Sequence, residues 1–128
     1  MSARILDRIL STDTGAHPAD LQNILNLMEE SKPLSDEGVD FITHAYSFGK
    51  EAHKGQLRRS GEPYFTHCVE VATILAEMKL DPVTISAALL HDVIEDTGYT
   101  VKDVSKEFND ELASLVDGVT KLSDIKWV

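Results

Sequence analysis

A single cysteine, Cys68, is present in this 128-residue chain. That excludes an internal disulfide and a structural zinc site built on clustered thiolates. Any metal would have to be held by histidine and carboxylate. Long apolar runs are also missing: no stretch approaches the roughly 20 residues that a membrane-spanning helix needs, so no membrane role is expected. The first residues, MSARILDRILSTD, set Arg4, Asp7 and Arg8 among their apolar neighbours and so lack the unbroken apolar centre of a secretion signal. The expected compartment is the cytoplasm. Cations are scarce, with 12 Lys and Arg against 22 Asp and Glu and a formal net charge of −10, which disfavours DNA binding over a broad surface. Sustained strand alternation is absent too.

The residues present, 42% hydrophobic and 27% charged, are those of a globular chain with one core. Periodicity near 3.6 residues recurs throughout, which predicts an all-α helical bundle. Leu21, Ile24, Leu25 and Met28 mark a first helix in an N-terminal segment, residues 1–34, broken by the KP of SKPLSDEG. Ser35 then caps a helix reaching about His53, with Phe41, Ala45, Phe48 and Ala52 on one face. GQLRRSGEPY reads as a loop. From Thr66 to Lys79 the pattern predicts a buried stripe of Val71, Ile74, Leu75 and Met78, with His67 one turn earlier on it. Asp81 and Pro82 open a further helix, expected to run through His91–Asp96 to Gly98. Thr100 with Asp103 has the form of a capping box, and Leu112, Leu115, Val116 and Val119 mark the last pattern.

Two constellations carry chemistry. In KEAHKGQLRR, residues 50–59, Lys50, Lys54, Arg58 and Arg59 stand against one acid, Glu51, so the chain's scarce positive charge is concentrated there. In ALLHDVIEDT, residues 88–97, a continuous helix would set His91, Asp92, Glu95 and Asp96 within an arc of about 140° opposite the leucines. Like charges so placed repel by a few tenths of a kcal/mol per pair, roughly, and a divalent cation would reverse that sign. A solvated acidic face is the competing reading. His67, placed one helix away, makes a His, His, Asp set that suits an open catalytic site holding Mn, Fe, Zn or Mg, with Glu95 or Asp96 to orient a water. His17, His44 and His53 fit surface or packing roles better, Cys68 a small core position, and Trp127 either packing or stranding at the chain's end.

RRSGEPYFTH, ALLHDVIEDT and LVDGVTKLSDI, in that order, resemble the N-terminal hydrolase region of the long RelA/SpoT proteins, which are HD-domain phosphohydrolases. The likeness covers about residues 40–126. It implies a manganese-dependent hydrolase that removes the 3′-diphosphate of guanosine tetraphosphate or pentaphosphate as pyrophosphate, leaving GDP or GTP. It matches His67, His91 and Asp92 to metal ligands, Glu95 and Asp96 to the pair around the hydrolytic water, and Arg58 and Arg59 to the nucleotide pocket. The family completes its metal site with an aspartate in a Leu-Ala-Asp-Arg-like stretch of a later helix, and the last helix here offers only Asp117 and Asp124, neither in that context. Residues 35–128 are therefore expected to be a partial HD domain, truncated before its last helices, with weak metal binding and little hydrolysis of its own. An exposed apolar surface would then favour self-association, or disorder around Lys121–Val128. The alternatives are an HD phosphohydrolase for another nucleotide and a non-catalytic helical module that binds nucleotide or a partner protein.

Overall fold

The computed structural model describes residues 18–123, which form seven α-helices and no β-sheet. Expectations placed on residues 1–17, His17 among them, and on Asp124–Val128 with Trp127 lie outside the described residues. In chain order the helices are α1 (Ala19–Ser31), α2 (Asp36–Ala52), α3 (Phe65–Glu77), α4 (Pro82–Leu90), α5 (Val93–Asp96), α6 (Val101–Glu107) and α7 (Asp110–Ser123). None is long and apolar enough to cross a membrane.

The bundle is built around α4. Its residues Ile85–Leu90 are all buried, so it has no solvent face and is walled by α2, α3 and α7. The starts of the helices follow their capping chemistry. Ser35 accepts the Gly38 amide at 3.0 Å, Asp81 caps α4 ahead of Pro82, and Thr100 and Asp103 bond reciprocally as a capping box. Leu21, Ile24, Leu25 and Met28 of α1 join the same core. Gly49 permits the tightest crossing, since a β-carbon there would meet Phe65 Cε1 at 2.6 Å and the Leu89 carbonyl oxygen at 2.8 Å.

Three expectations are corrected. On α3 the buried residues are Phe65, Cys68, Val69, Ala72 and Ala76, whereas Ile74 and Met78 are 54% and 62% exposed. Small residues face α4 and α1 because those helices approach closely there. On α2 the fully buried face is Val39, Ile42, Ala45, Tyr46 and Gly49; Phe41 and Phe48 flank it and pack edge-on against Phe108 of the α6–α7 junction. Most consequential for the site, the helix opened by Pro82 does not continue to Asp96. It stops at Leu90, the His91 amide reaches Ala88 O at only 3.4 Å, and a separate turn begins at Val93. The break turns Asp92 inward, and it is 8% exposed rather than part of a solvent-facing arc.

Candidate metal centre

His67 comes from the first turn of α3, while His91 and Asp92 form the break between α4 and α5. One ligand atom from each lies within 4.8 Å of the others, which makes this a cluster able to hold a metal ion. Asp92 Oδ2 is its centre, at 3.0 Å from His91 Nε2, 3.9 Å from His67 Nε2 and 2.7 Å from the Tyr64 hydroxyl, which donates to it. The His67 side chain is 38% exposed against 12% for Asp92. The cluster therefore opens to solvent on the His67 side and closes on the Asp92 side.

The hydrogen bonding of His91 tests whether a cation fits. Its Nδ1 lies 2.6 Å from the Ala88 carbonyl oxygen, which can only accept, so Nδ1 carries a hydrogen. In a neutral ring Nε2 is then a lone pair pointing at another lone pair on Asp92 Oδ2. Only a proton or a metal ion between them makes that contact favourable. Burial disfavours the imidazolium, but the bonds to Asp92 and Ala88 outweigh it and raise the His91 pKa. Burial likewise opposes the Asp92 carboxylate, yet donors from His91 and Tyr64 hold its pKa below the ordinary value. Burial and the hydrogen bond to Asp92 keep the Tyr64 phenol protonated, and burial pushes the Cys68 thiol up to about 12. The donor set thus has the charge and directionality that a divalent ion requires.

Glu95 and Asp96 follow on the short α5, both exposed. The Asp96 charge contributes to raising the His91, Tyr64 and Cys68 pKa values, which places that carboxylate within electrostatic reach of the cluster.

The loop between α2 and α3 is closed on itself. An antiparallel bridge joins Leu57 to Pro63, Arg58 N donates to Glu62 O at 2.7 Å, and Gly61 takes a φ of +92° that a side chain would resist. Arg58 and Arg59 are not equivalent. Arg59 is exposed, while Arg58 Nη1 donates to Glu70 at 3.2 Å and lies 3.9 Å from Glu62. The loop is thus less positive than residues 50–59 alone implied, because its countercharges arrive from outside that window. Three contributors were missed in the sequence: Tyr64, Gln56 and Glu70. Tyr64 and Glu70 flank His67 by three residues on either side, and nothing in that local spacing tells a hydroxyl partner or an arginine anchor from ordinary surface.

A family profile described as HD domain matches residues 45–128, a stretch that contains all of these side chains. The chain belongs to the HD-domain family. The resemblance of this HD domain to the RelA/SpoT proteins is carried by its curated relatives. It is 52% identical, over 73% of its length, to the bifunctional (p)ppGpp synthase/hydrolase SpoT of Escherichia coli K12. It is 49% identical, again over 73%, to a guanosine-3′,5′-bis(diphosphate) 3′-pyrophosphohydrolase of Vibrio cholerae. A probable GTP pyrophosphokinase of Mycobacterium leprae is 42% identical over 96% of the chain. The chain spans only 13% to 15% of the length of these relatives. HD-type hydrolysis is thereby supported at the level of the family.

Proposed function

We propose that this HD domain is the hydrolytic centre for the 3′-diphosphate of guanosine tetraphosphate and pentaphosphate, with His67, His91 and Asp92 holding one divalent cation, Mn2+ by family resemblance. The observation that carries the reading is the convergence of those three ligand atoms within 4.8 Å, with His91 oriented by its Ala88 bond so that Nε2 faces the centre. When bound, such a cation supplies Lewis acidity and lowers the pKa of a nearby water.

The chain's own groups supply the rest. Asp96, with Glu95 beside it, takes the proton of the attacking water. The water oxygen bonds to the phosphorus attached at O3′, the O3′–P bond breaks, and the proton passes to O3′, giving pyrophosphate and GDP or GTP. Arg59 and Arg58 meet the phosphates, and a guanidinium plane stacks on a purine face as an ammonium does not. Arg58 must exchange Glu70 for the ligand.

Manganese titration of the chain, with pyrophosphate release from guanosine tetraphosphate measured on the same protein, tests the proposal. His91→Ala should abolish both signals. Release of orthophosphate from a simple phosphomonoester, with guanosine tetraphosphate left intact, would favour an HD phosphohydrolase for another nucleotide. Nucleotide binding without any turnover would favour a non-catalytic module.

A further inference from the structure

The break at His91–Asp92 leaves α5 as a single turn of four residues. One turn cannot hold itself, because helix nucleation is unfavourable without further turns or tertiary anchors. Val93 is buried and Ile94 packs against the core beside it, which anchors the apolar side of the turn. Two side chains of the α2–α3 loop reach across to it. Gln56 Nε2 donates to the Asp96 backbone carbonyl at 2.7 Å, and the Tyr64 hydroxyl donates to Asp92 Oδ2 at 2.7 Å.

Both side chains are themselves held in place. The Gln56 oxygen lies 2.8 Å from Nδ1 of His53, which is 2% exposed, so the amide is oriented with its NH2 group toward Asp96. The Tyr64 ring lies 5.2 Å from that of His53 and 5.9 Å from that of His67. The Tyr64 amide donates to the Gln56 carbonyl at 2.8 Å, which locks the two residues to each other.

We infer that Gln56 and Tyr64 are positioning residues: the loop is a rigid bracket that fixes Asp92 and Asp96 relative to one another and ties both to the loop that bears Arg58 and Arg59. The bracket's purpose rests on reading the cluster as a metal centre; its mechanical role does not.

Two near-isosteric variants of the 128-residue chain separate these. Gln56→Glu keeps an acceptor for His53 and removes the donor to Asp96. Without metal, its Asp96 and Thr97 amides should exchange with solvent at least about tenfold faster, while the Leu89 and Leu90 amides of α4 keep their wild-type protection. Unchanged exchange at Asp96 and Thr97, or equal loss in α4, overturns the bracket. Tyr64→Phe keeps the ring and removes the hydroxyl. Titrated with Mn2+ and followed by the signal of the free ion, it should bind about 10- to 100-fold more weakly than the wild type, the usual cost of losing a partner of a metal-ligating carboxylate, while the Leu89 and Leu90 amides keep their wild-type protection in the absence of metal. Equal manganese affinity in both proteins overturns the positioning of Asp92. A wild type that binds no manganese overturns the metal reading and with it the bracket's purpose, while the exchange measurement still decides whether the loop holds the turn.

Discussion

Arg58 shows how much of a residue's chemistry lies in its neighbours. Read along the chain it is one of four cations in ten residues; in the fold its Nη1 is already engaged by Glu70. Arg58→Ala should therefore weaken guanosine tetraphosphate binding by about 1 to 3 kcal/mol, the range for a lost charged or stacking partner, less what the displaced carboxylates recover. Its manganese affinity should stay near the wild-type value. Calorimetry with each ligand checks this, and equal loss of both would show that Arg58 supports the fold instead. His67, His91 and Asp92 stood out in the sequence as candidate ligands because metal ligands are a short list of residue types, and the fold brings their ligand atoms within 4.8 Å of one another. Gln56 and Tyr64 were not. Their partners Asp96 and Asp92 lie 40 and 28 residues further along, and no local periodicity encodes a hydrogen bond over that separation.

At the scale of elements, ends were more legible than faces. Ser35, Asp81 and Thr100 cap where the residue types require, because a cap is settled within one turn of chain. The Asp81 carboxyl is held below its ordinary pKa, chiefly by the Thr84 hydroxyl. Its folded value is thus lower than its unfolded one of about 4, so its stabilisation is complete above about pH 4 and fades as pH falls through the folded value. Asp81→Ala should cost about 1 kcal/mol near neutrality. Urea unfolding of both proteins between pH 7 and 2 should show the gap narrowing below about pH 4, and a constant gap would refute the role of the charge. Faces depend on the neighbour's size. Ile74 and Met78 have the right spacing for a core stripe, but α3 turns Cys68, Ala72 and Ala76 inward so that close packing is achieved with small side chains. Gly49 marks the same constraint. Gly49→Ala gains up to about 1 kcal/mol of helix propensity yet drives a methyl into Phe65 and the Leu89 carbonyl, a net loss of roughly 1 to 2 kcal/mol measurable by denaturant titration. Because Leu89 stands two residues before His91, the same variant should also weaken manganese binding. The break at His91–Asp92 was the least legible element, since His91 keeps near-helical dihedrals and only Asp92, at φ −99° and ψ −1°, leaves them, with no glycine or proline to announce it.

The whole molecule carries a surplus of acid and an uncovered apolar strip. Ile74 and Met78 continue the face of α3 that begins with His67 and Val71, and both are more than half exposed. Sedimentation should show self-association that rises with concentration and is relieved by combining Ile74→Glu with Met78→Glu; a wild type that stays monomeric at high concentration would refute it.

The acid surplus bears on the cation. A divalent ion bound where His91 and Asp92 face each other removes two repulsions at once, between lone pairs inside the cluster and among the carboxylates around it. The same three side chains tie α3 to the α4–α5 junction, so binding energy there is also folding energy. At a free concentration about 100 times its dissociation constant, manganese should add about 2.7 kcal/mol to the stability of the folded state. For a chain of this size that is a rise of very roughly 5 to 15 °C in the melting temperature, reversed by a chelator. His91→Ala should melt at the same temperature with and without manganese. If it still gained the full shift, the ion would be binding elsewhere on the acidic surface, and the His67–His91–Asp92 cluster would have to be read as an internal ion pair in which a proton, not a metal, supplies the positive charge.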